Sequence, residues 1–191
     1  MSYHADEHYI ERVLNGDQAS YAILVERHKD MIYTIALRML KNNEEAEEIA
    51  QDTFLKAYKS LKSFKFKSKF STWLYKIVYN LCISQLRKKK TQMFSIDDEE
   101  TPHFELTETA VKVDNLEQND RKKYIEKAIN QLNEDEQTII LLYYHEELAT
   151  DEIAKITDLS VSNIKVKLFR ARKKLYEHLN QMLHGETKNI L

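Results

Sequence analysis

Between Ser63 and Lys90 the sequence "SFKFKSKFSTWLYKIVYNLCISQLRKKK" sets lysines among aromatic rings and closes on four consecutive cations. From Lys56 to Lys90 there are eleven Lys and Arg and no Asp or Glu, an unopposed positive stretch that attracts a phosphate backbone by releasing its counterions. The rings of Phe64, Phe66, Phe70, Trp73 and Tyr75 add something that binding a duplex does not need. Unpaired bases rest on aromatic surfaces while lysines track the phosphates, so the combination points to a separated strand. Candidates for that grip are Ser63, Phe64, Lys65, Lys67, Lys69 and Trp73, whereas Phe70 and Leu74 are expected to plug the following helix against its neighbours. Past "FST", Thr72, Lys76, Asn80, Ser84, Arg87 and Lys88 recur at steps of three or four and form one polar ridge on an otherwise apolar helix. Asn and Ser there can meet base edges or sugars, and Lys and Arg neutralise phosphate.

Two further constellations carry recognition chemistry. In "EEAEEIAQDTFLKAYKSL" the residues Ala46, Ile49, Ala50, Phe54, Leu55, Ala57 and Leu61 can face inward, leaving Glu44, Glu45, Glu48, Gln51 and Asp52 as an outward acidic stripe. Glu45, Glu48 and Asp52 share a face, as metal carboxylates would. Di-metal bundles, however, take a Glu-x-x-His partner from another helix, and none is present. A protein-docking surface is the better functional reading, beside a plain solvated face. Near the C-terminus "TDEIAKIT", the turn "DLS" and a longer helix make a helix-turn-helix pattern. Ser160 can cap the longer helix, and Ile164, Leu168, Ala171, Leu175 and Leu179 form its inward stripe. Its other face carries Ser162, Asn163, Lys165, Val166, Lys167, Phe169, Arg170 and Lys173; from Ser162 to Lys174 there are six cations and no acid. Such a helix places its first turns on base edges in the major groove and its cations on phosphate and guanine.

The elements that must position these residues are helical. In 191 residues there are only two glycines and one proline, and the apolar spacing follows a 3.6-residue period. Helices are expected over Ile10–Leu14, Tyr21–Met39, Glu44–Leu61 and Thr72–Lys90, with Asn43 capping the third. In the second, Leu24, Met31, Ile32, Ile35 and Met39 share the core face.

Charge divides the chain where composition does. Residues 1–90 carry 16 Lys and Arg against 11 Asp and Glu, residues 91–120 carry 1 against 9, and residues 121–191 carry 12 against 11. The middle segment holds the only proline and little apolar periodicity, and reads as a flexible acidic linker between two packed units. The single cysteine, Cys82, excludes an internal disulfide framework and a cysteine-rich zinc site. No leader and no long apolar run is seen, so a soluble cytoplasmic protein without membrane insertion is expected. His145 and the N-terminal histidines show no ligand spacing, so neither metal nor cofactor is expected, and no catalytic constellation is found.

The ordered motifs "EEAEEIAQDTFLKAY", "KFSTWLYKIVYNLCISQLRKKK" and "LATDEIAKITDLSVSNIKVKLFRARKKL" resemble the extracytoplasmic-function (ECF) group of bacterial RNA polymerase sigma factors. The resemblance implies an all-α protein of two small domains, with region 2 in residues 1–90, a linker in 91–120 and a helix-turn-helix region 4 in 121–191. It implies docking on core RNA polymerase through Glu45, Glu48, Gln51 and Asp52. Opening of the promoter −10 element would fall to the loop Ser63–Lys69 and the ridge Lys76, Asn80 and Ser84. Duplex −35 DNA would fall to Asn163, Lys165, Val166, Phe169 and Arg170, and an inhibitory anti-sigma partner is further implied. Two departures stand out: Asp158 and Ser162 occupy positions where glycine is frequent, and Val166 is apolar where polar residues are common. The rival readings are a ligand- or phosphate-sensing DNA-binding regulator and a carboxylate-bridged metal enzyme.

Overall fold

The computed structural model describes residues 4–93 and 116–187, and every regular element among them is helical. The elements are α1 (His4–Leu14), α2 (Ala19–Leu40), α3 (Asn43–Ser60), a single 3-10 turn (Leu61–Ser63), α4 (Phe70–Met93), α5 (Leu116–Asn130), α6 (Glu134–Tyr144), α7 (Thr150–Thr157) and α8 (Val161–Thr187). Most of the expected linker, residues 94–115, lies outside the described residues, and α5 begins five residues ahead of the expected second unit.

Local chemistry sets the boundaries. Gly16 takes φ +99, which a side chain would resist, and lets α1 turn back into α2. Asp17 accepts hydrogen bonds from the Ser20 hydroxyl and amide there. Lys41, in left-handed backbone, closes α2 by donating its amide to the Leu37 carbonyl. The N-cap of α3 is then Asn42, not Asn43: its side chain accepts from the Glu45 amide at 3.0 Å, because the link after α2 is only two residues long. At α6 Asn133 and Glu136 form a reciprocal capping box. The Glu152 carboxylate accepts from the Ala149 amide at the start of α7.

Leu24, Ile32, Ile35, Ala36 and Met39 form the buried face of α2, with Met31 at its margin. Helices α1, α3 and α4 pack around it, and α5, α7 and α8 gather around α6 or its neighbours. Helix α6 is buried from Glu136 to Leu142, because α2 covers it from one side and α8 from the other. The two units are thus packed together: α2 meets α6, α4 meets α7, and one connected apolar core runs from Ile10 to Ala171. Buried Glu136 within this core is compensated by Lys174, whose ammonium donates to both carboxylate oxygens at 2.9 Å.

Helix α1 is tied down by Asp6, which pairs with Arg27 at 3.0 Å and with the His28 ring at 2.9 Å. Burial pushes the Asp6 carboxyl upward, but these two partners outweigh it and hold it below the usual carboxylate range. A depressed acid stabilises the fold above its unfolded pKa, and that contribution is lost as pH falls through the folded value. Asp6→Asn is expected to lower stability by about 1 kcal/mol at neutral pH. Thermal unfolding followed by circular dichroism should show the gap from the parent protein closing on acidification.

Candidate nucleic-acid interface

The loop between α3 and α4 is built on an aromatic cluster. Phe64 stands 5.0 Å from Phe66, 5.7 Å from Phe70 and 5.2 Å from Trp73 by ring centroids, and the His28 ring meets Phe70 at 5.6 Å. Phe64 and Phe70 are buried, at 7% and 4% exposure. The strand-gripping surface read from the sequence therefore needs one correction: of the rings named there, Phe64 is an anchor of the loop and Phe66 is the one at the surface. Phe66 is 41% exposed in left-handed backbone at φ +55, a conformation that turns its side chain away from the strict alternation with Phe64. Nothing in the alternating pattern signals that local reversal. Ser63, Lys65, Lys67 and Lys69 are exposed around it, and Trp73 is half-buried.

Beside the loop opens a cavity of about 320 Å³. Its walls include Phe66 and Phe70, with Asp6, Glu7, Arg27, His28 and Tyr75 among the polar groups, and Glu146 enters from the second unit.

On α4 the polar ridge is shorter than its spacing suggested. Thr72 is buried, with its hydroxyl lacking a hydrogen-bond partner, so the ridge begins at Lys76. Asn80 is half-buried; Ser84, Arg87 and Lys88 are exposed, and the Ser84 hydroxyl donates to the Asn80 carbonyl at 2.8 Å. The flanks Leu74, Tyr75, Val78, Tyr79 and Cys82 are buried and fix the ridge's direction. Burial, and then the Glu146 carboxylate, push the Tyr75 hydroxyl well above its ordinary range; burial and Asp135 do the same to Tyr79. Both phenols stay neutral and donate, Tyr75 to Glu146 and Tyr79 to Asp135.

The acidic face of α3 also differs in detail. Glu48, Gln51 and Asp52 are exposed as expected, but Glu45 is half-buried and paired with Lys89 of α4 at 2.7 Å. Leu55, expected inside, is 57% exposed, and Tyr58 is 40% exposed. They continue the face of Gln51 and Asp52 at i+3, i+4 and i+7, making it an acidic rim around two apolar side chains, a composition that fits protein docking better than a solvated face. Periodicity could not resolve Leu55, because it lies on the boundary of the inward arc. Among the described residues no three His, Cys, Asp or Glu side chains are placed to hold a metal ion.

In the second unit α7 ends at Asp158, in left-handed backbone at φ +55, so the aspartate supports the turn where glycine was the alternative. The Ser160 hydroxyl then accepts from the Asn163 amide at 3.2 Å and starts α8. Ile164, Leu168 and Ala171 are buried, leaving Ser162, Asn163, Lys165, Val166, Phe169, Arg170 and Lys173 exposed together. Lys167 departs from that face, since it is half-buried and paired with Asp135 at 3.3 Å. Phe169 is 68% and Val166 43% exposed, an apolar pair one turn apart among cations.

Comparison with known proteins bears directly on this arrangement. The family model for sigma-70 region 2 matches residues 24–92, and that for sigma-70 region 4 matches residues 122–175. The chain is 36% identical to the ECF RNA polymerase sigma factor SigW of Bacillus subtilis, over 91% of this chain and 96% of that protein. It is 30% identical to the ECF RNA polymerase sigma-E factor of Escherichia coli K12, over 87% and 90% respectively. Its fold is similar to that of the sigma factor RpoE of Bartonella quintana, solved in complex with the anti-sigma factor NepR, with a TM-score of 0.69 at 24% identity, over 84% of this chain and 96% of that one. The chain belongs to the ECF sigma factors, the alternative sigma factors that direct RNA polymerase to promoters. Among its described residues no helix is long and apolar enough to cross a membrane.

Cys82 reports on the packing of α4. Burial pushes its thiol up to about 12, which leaves almost no thiolate at neutral pH. The native protein is expected to resist iodoacetamide under conditions where the urea-unfolded chain is alkylated at once, as read by intact mass. Rapid labelling of the native chain would mean that α4 does not hold its ridge in this orientation.

Proposed function

We propose that residues 1–90 act as the strand-holding and polymerase-docking domain, residues 121–191 as the duplex-binding domain, and residues 91–120 as the acidic linker between them. In this reading Glu48, Gln51 and Asp52, joined by Leu55 and Tyr58, meet core RNA polymerase, and Glu45 contributes when Lys89 releases it. Lys65, Lys67 and Lys69 follow the phosphates of the opened −10 strand, Phe66 and Trp73 receive a base, and Lys76, Asn80 and Ser84 meet base edges or sugars. The exposed face of α8 reads the −35 duplex: Asn163 and Arg170 by hydrogen bonds, Val166 and Phe169 against thymine methyls, Lys165 and Lys173 on phosphate.

The observation that carries this reading is the chemical difference between the two surfaces: a cavity with aromatic walls beside lysines in one unit, a rigid capped helix with exposed cations in the other. Strand separation is then driven by binding, since unstacking a base costs a few kcal/mol and stacking on a ring returns about 1 to 3. The near balance makes core polymerase necessary for stable opening. Neither a catalytic residue, a cofactor nor a metal enters this scheme, and a bacterial cytoplasm is its setting. Because the first-unit surfaces are cationic and aromatic, an inhibitory anti-sigma partner of acidic, amphipathic character would suit them.

Two substitutions separate the domains' roles. Asn80→Ala should impair open-complex formation, scored by permanganate footprinting, while leaving duplex binding nearly unchanged; loss of duplex binding would contradict the division. Arg170→Ala should weaken −35 binding by about 1 to 3 kcal/mol and relax sequence preference if it makes a bidentate base contact. An equal loss on every sequence in a gel-shift series would assign it to phosphate instead.

A further inference from the structure

Residues 64–69 form neither helix nor strand, so the loop that carries Phe66 and the lysines is placed by what its two ends pack against. Both ends rest on α1. Where the loop begins, α1 touches the 3-10 turn Leu61–Ser63, with Ile10 fully buried. At the other end the contact is indirect. Asp6 of α1 lies 2.9 Å from Nε2 of His28, and the His28 ring meets Phe70, the first residue of α4, edge-on at 5.6 Å and 67°. Phe70 in turn stands 5.7 Å from both Phe64 and Trp73 by ring centroids. Asp6, Glu7 and Ile10 also line the cavity beside the loop, although α1 precedes residues 24–92, the stretch that the region 2 model matches.

We propose that Asp6 and His28 are positioning residues for strand capture: Asp6 fixes the His28 ring, the ring fixes Phe70, and α1 thereby holds both ends of the Ser63–Lys69 loop in the conformation that receives a base. This rests on the strand-holding reading above and adds the residues that set its geometry. An ionised carboxylate only accepts hydrogen bonds, so the His28 nitrogen that faces Asp6 carries its hydrogen. Rotation about the last bond of a histidine side chain is only weakly restricted by itself, and this one hydrogen bond selects the orientation in which the ring edge meets Phe70. The His28 side chain is 14% exposed, so little water competes for the contact. Arg27 ties the same carboxylate to α2 from a second side, pairing with Asp6 at 3.0 Å while its guanidinium lies 4.8 Å over the Tyr9 ring of α1. A loop released at Phe70 samples more conformations, and only the competent fraction binds.

Trp73 is the only tryptophan in the chain and stands in this cluster, so its fluorescence reports on the loop. The full chain is compared with Asp6→Asn, His28→Leu, their double variant and Val13→Ala, the last loosening buried packing of α1 away from the cavity. Acrylamide quenching of Trp73 reads the loop. Anisotropy of a short fluorescein-labelled single-stranded DNA of mixed sequence reads strand affinity, both at a temperature where circular dichroism shows every variant folded. Asp6→Asn and His28→Leu should each raise the quenching. If the loop then holds its receiving conformation about a fifth as often, each should weaken strand binding about fivefold. Because one residue acts through the other, the double variant should match His28→Leu alone. Val13→Ala should change neither reading. Unchanged quenching in Asp6→Asn overturns the proposal, as does raised quenching without weaker strand binding. Additive losses in the double variant overturn it too, and so does an equal loss in Val13→Ala, which would reduce α1 to a source of stability. A parent chain that binds no strand at all overturns the strand-holding reading, while the quenching series still decides whether Asp6 and His28 place the loop.

Discussion

Eleven positive charges between Lys56 and Lys90, without a carboxylate among them, have to be met from outside their own segment. That constraint organises the molecule. Lys89 pairs with Glu45 of α3 inside the first unit, and Lys76 reaches across to Asp158 of the second. Surface pairs of this kind contribute little to stability individually, roughly 0 to 1 kcal/mol, and weaken with salt. They therefore set the charge of the surface more than its stability.

The apolar framework keeps that surface fixed. Tyr75, Val78, Tyr79 and Cys82 are buried on both sides of the α4 ridge, and Phe64 and Phe70 pin the loop from below. Lysines and Phe66 are thus presented on a packed base, which under the proposed strand-holding role limits the entropy lost on binding a flexible strand. In the second unit the same end is reached differently, with the Ser160 cap and the buried row Ile164, Leu168 and Ala171 setting the angle of α8. One domain presents rings and a cavity, the other a straight capped helix.

Much of this was legible in the sequence, because it depends on local periodicity and capping. Helices α2, α3 and α4, the helix-turn-helix, the Ser160 cap and the tolerance of Asp158 for left-handed backbone follow from residues within a few positions of one another, whereas α5 was read in part as linker and α1 begins at His4, six residues ahead of its expected start. What was not legible depends on neighbours distant in the chain. Phe64 went into the core and Phe66 outward through one backbone reversal, which alternation alone does not encode. Thr72 was drawn into the interior by the flanks of α4, and Lys167 left the reading face because Asp135, 32 residues away, stood within reach. Leu55 and Tyr58 could be placed on the exposed face of α3 only once the arc covered by α2 and α4 was known.

The claim at the centre is that unpaired and paired DNA are held by different parts of one chain, and photo-crosslinking within an assembled promoter complex tests it most directly. With core polymerase and DNA carrying bromodeoxyuridine in either the opened strand or the upstream duplex, mass spectrometry locates the attached peptide. The opened strand is predicted to label Ser63–Trp73 and the duplex to label α8, without exchange between them. Attachment of the opened strand to α8, or of both probes to the same helix, would contradict the account.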